Sequence, residues 1–238
     1  MGNVSSYWTR IPKTLGRILD VLFPKLCIVC NREGEHLCED CAAFIAINQS
    51  EDRRARPARL SALFYAASYE DIFLQKAIRM FKYEPFVRDL APRLSYFIIA
   101  HLSFLDKPPA FVLERTRGEI QKHSILVPIP LFPARKRWRG FNQAEEIAKP
   151  LSRFLRIPLA PDVLAKIKNT KPQVELTKEQ RAQNVSEAFK VLRPGLVQNK
   201  TVILVDDVCT TGATMSEAAR VLKLAGARKI YGIVLARG

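Results

Sequence analysis

Residues 201–217 read TVILVDDVCTTGATMSE, and no other stretch limits the fold as tightly. Val202 to Val205 is an apolar run of the kind buried inside a sheet. Asp206 and Asp207 follow, then Thr210, Thr211, Gly212, Ala213 and Thr214, and then a helix start. A strand that runs into paired carboxylates and a small-residue loop suits a phosphorylated sugar. The loop can aim backbone N–H groups and a helix N-terminus at a phosphate. The two acids can accept hydrogen bonds from neighbouring hydroxyls. Gly212 allows positive φ or close backbone approach. Thr214 and Glu217 have the spacing of a capping box, which predicts where the helix begins. The same run would suit a Walker B strand, but its phosphate-loop partner is excluded because the chain contains no Gly-Lys dipeptide.

A second anion site is predicted near residue 140. Ile125 to Ile129 reads as a buried strand ended by Pro130, followed by a basic loop of Arg135, Lys136, Arg137 and Arg139. Gly140, Phe141, Asn142 and Gln143 come next, and Asn142 with Glu145 has capping-box spacing for another helix. Pyrophosphate suits such a site beside a ribose phosphate; the competing reading is an exposed basic loop. Trp138 among the arginines also keeps nucleic acid in view, because aromatic rings stack on bases. Pro150 falls inside the helix after this loop and is expected to stop or bend it.

Four of the five cysteines form two C-x-x-C pairs, Cys27/Cys30 and Cys38/Cys41. That pattern suits a closed, structural Zn²⁺ site with four thiolate ligands. Disulfides and a redox C-x-x-C are the competing readings, and His36 between the pairs is an alternative ligand. A segment this short buries little core, so ligation would supply its stability.

Apolar spacing predicts an amphipathic helix over 10–23, a strand over 60–69, helices over 71–82 and 87–100, and a short strand over 163–167. A polar, Arg-rich segment over 49–59 reads as a linker. A loop is expected over 107–124. Thr177 and Gln180 are read as the start of a helix running to Phe189. A helix over 215–224, a turn at Gly226 and a strand over 230–235 complete the chain. Strands alternating with helices predict an α/β fold with a parallel sheet covered on both faces, and ligands then sit outside the carboxyl ends of the strands. Residues 1–50 are read as the helix plus cysteine module, and 51–238 as the sheet domain.

Lys and Arg total 38 against 23 Asp and Glu, a net charge of +15 that attracts polyanions: nucleic acid, a membrane surface or phosphorylated small molecules. No stretch approaches the ~20 apolar residues of a membrane span.

VILVDDVCTTGAT resembles the phosphoribosyl-pyrophosphate (PRPP) signature of type I phosphoribosyltransferases. The resemblance implies that Asp206 and Asp207 bind ribose hydroxyls and that Thr210, Thr211, Gly212, Ala213 and Thr214 bind the 5′-phosphate. Cys209 occupies a variable position of that motif. The longer pattern is similar to the ComF family. LFPKLCIVC…LCEDC resembles its zinc finger, SYEDIFLQKAIRMFKYE its first strand-helix region, and VPIPLFPARKRWRGFNQAEEIA its RGFNQ motif. KPQVELTKEQRAQNVSEAF resembles a further segment, here Gln173, Leu176, Arg181, Asn184, Val185, Ala188 and Phe189. This implies Arg139, Gly140, Phe141, Asn142 and Gln143 on the pyrophosphate side. It also implies a type I phosphoribosyltransferase-like fold with an N-terminal zinc module, PRPP and Mg²⁺ binding, and a bacterial cytoplasmic role in natural competence with single-stranded DNA and a partner helicase.

Overall fold

The computed structural model describes residues 24–50, 57–83, 85–113, 123–170 and 184–238. The expected helix over 10–23, most of the 49–59 linker, and Gln173, Leu176, Thr177, Gln180 and Arg181 lie outside the described residues. The chain forms two compact units that divide between Phe44 and Ile45.

In the smaller unit, a ribbon turn is closed by the Leu26–Glu33 bridge and by hydrogen bonds from Gly34 N–H to Lys25 O and from Cys27 N–H to Arg32 O, both 2.8 Å. Asn31 takes a left-handed φ of 59° to complete the turn. A short helix, α1 (Glu39–Ala43), starts directly after Cys38. Arg32 pairs with Asp40 across the module.

The larger unit is built on four parallel strands, β1 (Ala62–Ser68), β2 (Ser124–Pro128), β5 (Thr201–Cys209) and β6 (Lys229–Arg237), in the order β1-β6-β5-β2. A separate antiparallel pair, β3 (Leu164–Lys166) and β4 (Phe189–Val191), forms a small hairpin. Parallel strands buried on both faces read as apolar runs, as Val202–Val205 of β5 and Ile233–Ala236 of β6 do.

Helix α2 (Ile72–Lys82) begins where Asp71 accepts hydrogen bonds from the N–H groups of Phe73 (3.0 Å) and Leu74 (2.9 Å). Its buried residues Leu74, Ala77, Ile78 and Phe81 follow the 3.6-residue period. A 3₁₀ turn at Arg88–Leu90 leads into α3 (Ala91–Phe104), so the regular helix starts later than predicted, with a proline in its first turn. Within the expected loop over 107–124, Ala110–Leu113 forms one helical turn, α4.

The basic segment is not a loop. Pro133–Arg139 is helix α5, with Pro133 at its start and Gly140 at φ 80° closing it. Helix α6 (Gln143–Leu155) runs through Pro150 without stopping. An interior proline costs about 3 kcal/mol. Burying Ile147, Leu151 and Leu155 returns about 1.5–3 kcal/mol each, enough to hold the helix together.

Helices α3 and α6 pack together on one face of the sheet. On the other, α7 (Ala213–Leu224) shares a core with the hairpin: Met215, Ala218 and Leu222 meet Val202, Leu204, Leu164 and Phe189. Among the described residues, no helix is long and apolar enough to cross a membrane.

Candidate functional site

The acidic pair lies within β5, not after it. β2 ends at Pro128, level with Val205, while β5 continues beside β6 to Cys209. Asp206 and Asp207 therefore sit where one neighbouring strand has already turned away. Successive strand residues point to opposite faces. Val202 and Leu204 belong to the α7 and hairpin face, so Asp206 points that way; Asp207 points to the α2 and α6 side.

Two lysines bear on the pair, and one of them contacts Asp207 directly. Lys82, the last residue of α2, donates from Nζ to Asp207 Oδ1 at 2.9 Å. Burial opposes the Lys82 charge, but the two aspartates outweigh it and raise its pKa. Lys166, on β3, lies within electrostatic reach of Asp206. Burial, then the charge of Asp207, pushes the Asp206 carboxyl up to about 7, against the opposing pull of Lys82, the Asp207 N–H and Lys166. Asp206 Oδ1 accepts that Asp207 N–H at 2.9 Å, and Asp207 Oδ1 accepts from Val208 N–H at 2.7 Å.

Arg139 is buried at the end of α5, within electrostatic reach of Asp207. It donates to Gln143 Oε1 at 2.5 Å, and Gln143 Nε2 donates to Phe81 O at 3.2 Å, tying α5 and α6 to the end of α2. The Arg139 Nε–H has no partner among the described residues, and burial lowers the pKa of its guanidinium. Asn142 is the cap residue of α6, but its amide donates to Ile129 O at 3.0 Å and makes no side-chain cap. The capping-box geometry predicted with Glu145 is thus replaced by a clasp on the end of β2. Gly140 is the left-handed residue between the two helices.

Thr210 and Thr211 form the turn after β5, and Gly212 caps α7 at φ 76°. A Cβ at Gly212 would lie 2.6 Å from Pro57 Cγ, so positive φ and close approach both require glycine here. The helix starts at Ala213, before Thr214, so the Thr214–Glu217 box does not form. Glu217 instead holds Arg220 through two 2.8 Å hydrogen bonds and accepts from Glu187 N–H. No acidic residue occupies the first turn of α7, so its positive end is not neutralised from within. Arg237 braces the turn by donating to the carbonyls of Cys209 and Thr210. Cys209 is buried, its thiol is pushed upward by that burial, and it accepts from Arg237 at 3.0 Å, the setting of an inert thiol.

In the smaller unit, the Sγ atoms of Cys27, Cys30, Cys38 and Cys41 all lie within 4.8 Å of one another. Zn–S bonds of about 2.3 Å in a tetrahedron give S···S edges of about 3.8 Å. Cys30 and Cys38 are 3.7 Å apart, so this cluster could hold a metal ion. Burial opposes ionisation of Cys27, but N–H groups of Cys30, Cys38 and Val29 outweigh it and bring its thiol down to about 6. Burial and the neighbouring thiols push Cys41 up to about 12. His36 contributes only its carbonyl, which accepts from Ile28 N–H; its ring is outside the four-sulfur group.

Residues 140–238 match the phosphoribosyl transferase domain family. Competence protein F of Haemophilus influenzae is 36% identical over 113 residues, 47% of this chain and 49% of its own length. The DNA utilization protein YhgH of Escherichia coli K12 is 35% identical over 123 residues, 52% and 53% of the two chains. Competence protein ComFC of Bacillus subtilis is 38% identical over 101 residues, 42% and 39%. The chain is similar to these competence and DNA utilization proteins over about half of its length. It spans about half the length of the curated relatives it matches first.

The chain combines the phosphoribosyltransferase-type sheet with a four-cysteine cluster near the N-terminus. The two anion-site segments predicted from sequence converge at one end of the sheet, where Arg139 reaches the field of Asp207. Lys82 and Lys166 were not predicted. Lys82 closes a helix whose period was legible, and a lysine in a last turn reads as an ordinary dipole partner.

Proposed function

We propose that this protein binds PRPP at the carboxyl end of β5. The observation that carries the reading is the joint position of Asp206, Asp207 and the Thr210–Thr214 turn, with Arg139 behind Asp207. The aspartates accept hydrogen bonds from the ribose hydroxyls. The turn and the N-terminus of α7 take the 5′-phosphate. Arg139, Gly140, Asn142 and Gln143 form the pyrophosphate side, with Arg139 as the charged contact and the others holding it in place. Mg²⁺ bound with the ligand would offset part of the phosphate charge that Arg139 faces.

An active enzyme would be a phosphoribosyltransferase. The C1–O bond of PRPP breaks, its electron pair leaves with pyrophosphate, and a lone pair of an acceptor forms the new bond to C1. Asp206 and Asp207 fix the sugar while Arg139 stabilises the departing anion. Zn²⁺ suits the four-cysteine module, where full thiolate ligation stabilises the fold and leaves no position for chemistry.

The relatives named for competence and DNA utilization support a role in DNA uptake during natural competence. A place in the bacterial cytoplasm and a partner helicase belong to the same reading and rest on the resemblance of the motifs alone. Contact with single-stranded DNA is supported by Trp138. It is 60% exposed on the basic helix α5, with the Phe86 ring edge-on at 4.9 Å. Calorimetry with PRPP and Mg²⁺ tests the central reading: the wild type binds, and Asp206→Asn/Asp207→Asn does not. Equal binding by both sinks it. A salvage phosphoribosyltransferase, the rival reading, would release pyrophosphate with a free base and show no effect of DNA. Oligonucleotide affinity that falls steeply with salt, and falls again in Trp138→Ala, supports the DNA contact.

A further inference from the structure

We propose that the β3–β4 hairpin forms a second wall of this site and that Lys166, with Arg135, contacts the pyrophosphate end of the ligand; this rests on the PRPP reading and names binding residues it did not include. The hairpin lies on the face toward which Asp206 points. Leu164 and Phe189 pack with Val202 and Leu204 in that core. Lys166 follows Leu164 by two residues, so both side chains leave the ribbon on the same side. Lys166 accordingly lies within reach of the Asp206 charge.

The charges there do not balance. Lys82, Arg139 and Lys166 lie within electrostatic reach of the two carboxylates, and Arg135 lies within reach of Arg139 and Lys166. Lys82 has Asp207 at ion-pair distance. Among the described residues, no carboxylate lies that close to Lys166 or Arg135. Lys166 has the Phe189 ring at 5.7 Å, and Arg135 donates to Thr170 O at 3.2 Å. Both are half-buried. Burial first, then repulsion from Arg135, brings the Lys166 ammonium down to about 8. Two like charges within reach of each other and of a buried guanidinium with an unpartnered N–H are suited to a multiply charged anion.

The test is calorimetric titration of inorganic pyrophosphate and of PRPP, each with Mg²⁺, into the wild type, Lys166→Met, Lys166→Arg and Lys190→Met. Lys190 is an exposed lysine paired with Ala165, on the hairpin's other side. Lys166→Met should weaken pyrophosphate binding about tenfold or more, Lys166→Arg should stay within a few-fold of wild type, and Lys190→Met should be unchanged. Unaltered pyrophosphate affinity in a folded Lys166→Met, or equal weakening in Lys190→Met, overturns the proposal. If PRPP binds the wild type, is lost in Asp206→Asn/Asp207→Asn and is unaffected in Lys166→Met, this inference alone fails. If the wild type binds neither ligand, both readings fail. Should Lys166→Met not fold, amine acylation of the wild type read by mass spectrometry replaces it. Protection of Lys166 by pyrophosphate is expected, and its absence overturns the proposal.

Discussion

Lys82 and Asp207 are 125 residues apart in the chain, and 2.9 Å separates their charged atoms. The pair fastens the C-terminus of α2 to the end of β5, and it is buried enough to matter: the side chains are 30% and 7% exposed. Removing one member of such a pair leaves the other charge stranded. Lys82→Met should cost about 1–3 kcal/mol, below the 3–5 of a fully buried pair because Lys82 keeps some solvent. Adding Asp207→Asn should recover most of that loss. Denaturant unfolding of the two single variants and the double closes the cycle; additive losses would show that the contact contributes nothing.

Asp206 sets a pH dependence of a particular sign. Its folded-state pKa of about 7 lies above the ordinary aspartate value of 3.8. Between those values the folded chain holds a proton that the unfolded chain has released, so this group's stabilising contribution falls as pH rises toward 7 and levels off above it. Buried His101 acts the other way, because burial lowers its pKa. The Asp206 part is isolated by difference. Asp206→Asn should be more stable than wild type at pH 8 and have nearly the same stability at pH 4. Thermal unfolding across that range measures it, and a constant difference would refute the shifted carboxyl.

The strand, acids, turn and helix of residues 201–224 are legible because they are contiguous and each step has a local cause: an apolar run, paired carboxylates, a glycine at positive φ. The boundaries are less so. Thr214 and Asn142 both have capping-box partners at the right spacing, yet Gly212 starts one helix earlier and Asn142 turns to Ile129. A box is a local preference, and a tertiary partner overrides it. The Arg-rich segment carries a helix signal in Pro133 and Gly140 at its two ends, which its charge obscures. Lys82 and Lys166 are not legible, because their significance comes from which side of β5 each aspartate faces and from elements far away in the chain.

Gly212 is the tightest point of the phosphate turn. Gly212→Ala would put a methyl 2.6 Å from Pro57 Cγ at a φ of 76°. Left-handed strain and overpacking together should cost about 2–4 kcal/mol. The expected result is a lowered melting temperature and loss of PRPP binding. Pro57→Gly in the same chain should restore part of the stability by removing the obstructing ring, while the φ penalty stays.

The cysteines should divide into two chemical classes. Four sulfurs lie within 4.8 Å of one another in the smaller unit, while Cys209 is buried at 2% exposure with its thiol pushed upward. A strong chelator should release one zinc ion per chain and make four thiols reactive to a disulfide reagent, with the fifth silent until the chain is denatured. Five reactive thiols before denaturation would place Cys209 in the wrong environment. No metal released would remove the zinc reading.

Arg139 separates stability from function most cleanly. Its guanidinium is buried at 7% exposure, its Nε–H has no partner among the described residues, and burial lowers its pKa. In the absence of ligand, such a charge is a strain on the fold. Arg139→Met keeps much of the volume and removes the desolvated charge, though it also strands the Gln143 oxygen that Arg139 now serves at 2.5 Å. The two effects are each about 1–3 kcal/mol and opposite in sign, so net stability should change by less than about 2 kcal/mol. Affinity for PRPP should instead fall about a hundredfold, because a charged, forked donor to phosphate is lost. Arg139→Lys should recover little, since an ammonium cannot reach Gln143 and an anion along two directions at once. A large stability loss with intact binding would make Arg139 a structural strut between α5 and α6 and remove it from the site.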